Sequence, residues 1–140
     1  MSLLDKLKTA EVLALRGIYI DNPNCYLCQD FTESTRHLFF DCEYSYKILI
    51  RLIPTLQNFL LRPNVSQALE FIGGLPGEKK EKAYRLLLFN ATIYHIWRER
   101  NNRRFNVTAK CFVTLATEIM KDVRIKSLKW MTKKAHSQTH

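Results

Sequence analysis

Four residues in the first third of the chain have the types and spacing to hold a metal ion. Cys25 and Cys28 form a Cys-x2-Cys pair, His37 follows after eight intervening residues, and Cys42 after four more. Two thiolates so close in sequence grip one ion from a tight knuckle, and the later His and Cys close a tetrahedron. Soft thiolates with one imidazole select zinc over magnesium or calcium. Cys25, Cys28, His37 and Cys42 are therefore read as a Cys3His knuckle for one structural Zn2+. Four protein ligands leave no open position for a reacting water, so no enzyme activity is expected. A disulfide framework competes with this reading, because the chain has four cysteines. Met1 to Leu15 alternates charged and apolar residues and lacks the apolar stretch of a secretory signal. An intracellular setting, cytoplasm or nucleus, is expected, and there cysteine pairs more often bind metal. Cys111 lies far downstream in a helical pattern and is expected in the core, as a free Cys packs like a small hydrophobe.

A second chemistry is carried by cations. The net charge is +9. Residues 98–140 hold 11 Lys and Arg against 3 acids, a net of +8, whereas residues 1–97 are nearly balanced. A surface so biased suits a polyanion. Arg98, Arg100, Arg103 and Arg104, with Lys110, Lys121, Arg124, Lys126 and Lys129, are the candidate phosphate contacts. The competing reading is structural: cations favour a helix C-terminus, and Glu99 is spaced to pair with Arg103. Trp97 and Trp130 have faces that could stack on bases, although Trp97 falls on the apolar side of its helix and is expected in the core. His95 has no carboxylate or nucleophile at a telling spacing and is read as a satisfied or surface residue. The sequons at Asn64, Asn90 and Asn106 are read as caps and chance in a chain without a secretory signal. No stretch is long and apolar enough for a membrane span.

These side chains need elements to position them. Ser2 to Leu15 reads as a helix with Ser2 and Asp5 as a capping pair and Gly17 as its stop. Ile18 to Ile20 reads as an extended lead into the knuckle, and Asp21 to Asn24 as turn chemistry. His37-Leu38-Phe39-Phe40 is apolar enough to seat the knuckle on a core. Glu43 to Ile53 reads as a helix ended at Pro54, with a shorter helix from Thr55 to Leu61. Asn64 is placed to cap a helix over Val65 to Ile72, ended by Gly73-Gly74. Leu75-Pro76-Gly77 reads as a hinge. From Glu78 to about Arg104 a long helix is predicted, with Ala83, Leu86, Leu87, Asn90, Ile93, Tyr94 and Trp97 inward. Thr108 is placed to cap a last helix that turns Phe112, Leu115, Ala116, Ile119 and Val123 to one side, giving an antiparallel hairpin. Residues 131–140 lose the apolar period and are expected to be disordered.

The fold class that follows is mainly α: a Cys3His knuckle packed with a helical bundle and a C-terminal helical hairpin. The expected division is a knuckle domain over 1–62, a short helix and hinge over 63–77, a basic hairpin over 78–130 and a tail over 131–140.

Arg16-Gly17-Ile18, Cys25-Tyr26-Leu27-Cys28 and the block from Glu33 through Ser34, Thr35, Arg36, His37, Leu38, Phe39, Phe40 and Asp41 to Cys42 resemble a known family. It is the zinc-binding domain of non-LTR retrotransposon reverse transcriptases. Ser34 stands where that family usually has Thr. Ile93 to Phe105 resembles the segment that follows this domain in plant (LINE-type) elements. In such elements the domain follows an endonuclease and a reverse transcriptase and helps hold RNA or target DNA. No Tyr-x-Asp-Asp polymerase motif occurs in this chain. The resemblance thus implies a non-catalytic, zinc-dependent module with RNA or DNA as partner. Docking on a reverse transcriptase core, without direct nucleic-acid contact, is the alternative.

Overall fold

Residues 9–17, 22–58, 65–106 and 108–138 are described in a computed structural model of the chain, with backbone alone for Glu11, Val12, Asn58 and residues 131–138. The Ser2–Asp5 cap, the Ile18–Ile20 lead and the Asn64 cap lie outside the described residues. Among those described, five α-helices form the architecture and no strand is present: α1 (Ala10–Leu15), α2 (Glu43–Leu52), α3 (Val65–Gly74), α4 (Lys79–Phe105) and α5 (Phe112–Gln138). A π turn at His37–Asp41 precedes α2, and a 3-10 turn at Pro54–Asn58 follows it.

Local chemistry sets most boundaries. Gly17, at φ +77°, takes the left-handed conformation that stops α1. Pro54 has no N–H to continue α2, which closes with Ile53 N–H donating to Leu49 O. Leu75-Pro76-Gly77 separates α3 from α4. Gly77 sits at φ +146°, and a Cβ there would meet the Glu81 carboxylate and the Arg85 guanidinium within 3 Å. Arg85 fixes this corner by donating to the carbonyl oxygen of Pro76.

The long helices α4 and α5 run antiparallel: Glu99 reaches Lys110 near the turn, and His95 reaches Asp122 further along. Helix α5 packs against both α4 and α2, and α3 lies against α4. One contiguous core results. It takes Leu38, Phe39 and Phe40 from the π turn, Ile48 and Leu49 from α2, Ile72 from α3, Phe89 and Ile96 from α4, and Ile119 and Val123 from α5. The expected division into knuckle, hinge and hairpin is thus bridged by one buried cluster.

Four expectations are corrected. In α4 the buried residues are Leu88, Phe89, Ala91, Thr92, Ile93, Ile96, Glu99 and Arg100, while Asn90 and Tyr94 face solvent. Polar members hid the true phase: Thr92 is buried with its hydroxyl donating to Leu88 O, and Glu99 and Arg100 are buried as ion pairs. Gly73-Gly74 does not end α3 but forms its last residues. Thr108 is not the cap of α5; the helix begins at Phe112, with Leu115 N–H donating to Cys111 O. Helix α5 also continues through Gln138, so residues 131–138 are helical rather than disordered. Lys, Ala and Gln are good helix formers, so a helix outlasts its apolar stripe there.

Candidate metal centre

The knuckle is built by backbone hydrogen bonds rather than by a core of its own. Cys25 N–H donates to Phe31 O and Glu33 N–H to Pro23 O, which folds the segment back on itself. Gln29 N–H donates to Cys25 O, and Gln29 takes φ +64° to turn the chain out of the Cys-x2-Cys loop. Leu27 N–H points at the Cys25 sulfur, 3.4 Å away. On the other side Ser34 caps the turn, its hydroxyl accepting from His37 N–H at 3.0 Å. The cap requires a side-chain hydroxyl, which Ser supplies as Thr would.

His37 and Cys42 are five residues apart, a spacing that a regular α-helix would splay by about 140°. The π turn closes it instead: Cys42 N–H donates to His37 O, an i→i+5 bond that returns the chain to the same side. Cys42 is also the N-cap of α2. The amides of Tyr44 and Ser45 at the start of that helix point at its sulfur, and the helix dipole favours a thiolate there.

The four donor atoms of Cys25, Cys28, His37 and Cys42 all lie within 4.8 Å of one another. Cys25 Sγ is 3.9 Å from Cys42 Sγ, and Cys28 Sγ is 3.2 Å from His37 Nε2. With Zn–S bonds of about 2.3 Å, tetrahedral geometry sets two sulfurs about 3.8 Å apart. All four cysteines of the chain are free thiols, so the disulfide reading fails. The donor set fits one zinc ion. The Cys25 thiol donates to Cys42, and this bond lowers the Cys42 pKa to about 5 against the opposing effect of burial. The same bond, followed by burial, pushes the Cys25 thiol up, and burial pushes Cys28 up.

Behind the knuckle lies a charge pair that sequence spacing did not reveal. Glu33, fully buried, receives Arg100 in a two-pronged hydrogen bond at 2.9 and 2.6 Å. Its Oε1 also accepts from Ala10 N–H, capping α1. Arg100 lies between the rings of Tyr26 and Trp97 and also donates to Asn101. Arg103 donates to Leu27 O inside the Cys-x2-Cys loop, to Lys110 O and to Glu99. Glu99 in turn accepts from Lys110 N–H, and the Tyr44 hydroxyl donates to Lys110 O at 2.8 Å. The Tyr44 pKa is raised to about 12, first by burial, with Arg103 opposing.

Arg100 and Arg103 are therefore corrected as phosphate contacts. Arg100 is 2 % exposed and its guanidinium is committed to Glu33, while Arg103 has all its nitrogens engaged between loops. Of the other candidates, Arg98, Arg104, Lys110, Lys121, Arg124, Lys126 and Lys129 are exposed. Lys110 pairs with Glu118, Lys126 with Asp122, and Arg104 stacks over Phe105. Cys111 is exposed rather than in the core, placed on the open turn before α5, with its sulfur against the Thr114 hydroxyl. His95 has a carboxylate after all: Asp122, 27 residues away and 2.8 Å from Nε2, whose pKa that hydrogen bond lowers. Trp97 is partly buried against the core, and Trp130 is 42 % exposed. Arg51, not singled out in the sequence, joins Lys121 and Arg124 around one groove. Its signal was a cation in the last turn of a helix whose other side is apolar.

No helix among the described residues is long and apolar enough to cross a membrane. No curated protein and no solved structure matches the chain. Residues 1–48, which span the four metal ligands and end within α2, match the family model described as zinc-binding in reverse transcriptase.

Proposed function

We propose that the chain is a zinc-stabilised, non-catalytic module that binds RNA or DNA through the cationic surface of α5. The observation that carries this reading is the array left exposed once Arg100 and Arg103 are accounted for. Lys121, Arg124, Lys126 and Lys129 stand out from α5, with Arg98 beside them on α4. The acids of that stretch are paired: Glu118 with Lys110, and Asp122 with Lys126, Asp122 also sharing a hydrogen bond with His95. A net positive surface of this kind attracts a phosphate backbone and releases its counterions. The zinc holds the scaffold, since its four ligands come from the protein. The four free thiols support a reducing, intracellular setting, and the α4 segment Ile93–Phe105 supports kinship with plant-type elements.

Docking on a reverse transcriptase core has one observation in its favour: Ile125 and Leu128 are 45 % and 63 % exposed on the same side of α5. Salt-titrated binding separates the two. Zinc-loaded protein should bind labelled single-stranded RNA or duplex DNA with an affinity that falls steeply with salt. The log–log slope should be roughly −0.7 per contact on single strands and −0.9 on duplex. Binding that is absent or insensitive to salt would leave docking as the better reading.

A further inference from the structure

Among the described residues two grooves flank α5, and they differ in charge. The groove between α4 and α5 is lined by Arg98, Lys121 and Lys126 but also by Glu118 and Asp122. The groove between α2 and α5, of about 540 Å³, has no acid in its lining: Arg51, Lys121 and Arg124 form its rim, and Leu52, Ala116 and Met120 its floor. Among the described residues no carboxylate pairs with any of the three rim cations. We infer that the groove between α2 and α5 is the seat of a single-stranded nucleic acid. Its phosphates lie on the Arg51, Lys121 and Arg124 rim, and its bases lie against the Leu52 and Met120 floor.

The physical basis is the pairing of an unneutralised cationic rim with an apolar floor. A duplex offers phosphates to the rim, but its bases are stacked and turn only their edges outward, leaving the floor unused. A single strand presents anionic backbone and apolar base faces together. An acidic peptide would satisfy the rim but not a floor of aliphatic carbon unless it were itself amphipathic. The polar side chain on the floor side, Thr117, already donates its hydroxyl to Val113 O at 2.9 Å. The donors that remain in the lining are the rim cations, which the phosphates engage, and binding should tolerate many sequences. This seat presupposes the nucleic-acid binding proposed above and adds place and strand state to it.

The test uses the zinc-loaded full chain with labelled oligouridine, oligothymidine and a mixed-sequence duplex of equal length, each titrated over salt. Single strands should bind more tightly than duplex. Arg51→Ala with Arg124→Ala should weaken single-strand binding about tenfold and flatten the salt slope by roughly 1.4, two contacts' worth. Lys79→Ala with Lys80→Ala removes the same charge from the far end of α4 and should leave the slope unchanged. Thr117→Glu, at an exposed helical position, should block the groove without unfolding the helix, as circular dichroism would show. Met120→Gln should weaken single strands while keeping the slope. Equal losses in the two double variants would mean diffuse attraction and would overturn the seat while leaving nucleic-acid binding intact. Duplex binding as tight as single-strand binding would overturn the strand state. Tight binding of polyglutamate that oligouridine cannot displace would assign the groove to a protein. Absence of salt-dependent binding to every nucleic acid would remove the proposed function and the seat with it.

Discussion

At the scale of single residues, protons and metal compete for the same sulfurs. Near neutral pH the Cys42 thiol, with its pKa near 5, is already ionised, while Cys25 and Cys28, both pushed up, keep their protons. Zinc entry must expel those protons, so affinity rises with pH and falls as pH drops. Chelator competition between pH 6 and 8 should show about two protons released per zinc, a change of about 100-fold in apparent affinity per pH unit. A flat profile would mean that the thiols are not the ligands. The buried pair gives a second expectation. Arg100→Ala or Glu33→Gln strands a partner in the core and should cost about 3–5 kcal/mol in chemical denaturation. Replacing both by apolar residues of similar volume should recover much of that loss, which a pair important only for attraction would not allow. The four ligands were legible because knuckle spacing is local. The Glu33–Arg100 pair was not, because 67 residues separate its members, and a charged helix end reads as solvated until a partner is seen.

At the scale of elements, the sequence described α2 and the inner side of α5 well because aliphatic residues there recur with few interruptions. It misphased α4, where Thr92, Glu99 and Arg100 occupy inward positions that a hydrophobic count gives to solvent. It also ended α3 too early, at a glycine pair that the helix in fact includes. That pair carries a prediction of its own. Neither Gly73 nor Gly74 uses a left-handed conformation, and a Cβ on either meets nothing within 4 Å. Gly73→Ala should therefore stabilise the protein by about 0.5–1 kcal/mol, through the smaller entropy of the unfolded chain. Thermal unfolding would check it, and a lower midpoint would show that the added methyl group is not accommodated. The turn between α4 and α5 behaves differently, being held by Arg103, Glu99 and Tyr44 rather than by its own residues. Arg103→Ala removes hydrogen bonds to both Leu27 O and Lys110 O. Faster amide exchange is expected at Lys110 and its neighbours and in the Cys25–Cys28 loop together, since one side chain ties both.

At the scale of the whole molecule, metal and helices share one core. Leu38, Phe39 and Phe40, set between two metal ligands in sequence, pack in the same buried cluster as Phe89, Ile96 and Ile119. Chelation of zinc should lower the unfolding midpoint of the long helices as well as of the knuckle, seen as one transition by far-ultraviolet circular dichroism and by Trp97 fluorescence. Two separate transitions would show that the hairpin stands alone. A consequence for inheritance follows from the buried carboxylate. The family match stops at Ile48, whereas the guanidinium that neutralises Glu33 lies on α4. A gene truncated after the matched segment would encode every metal ligand yet leave an anion in apolar surroundings with no counterpart. The knuckle and the Trp97–Arg104 stretch should therefore be lost or kept as a pair among descendants, and a lineage that drops the arginine should replace Glu33 with an uncharged residue.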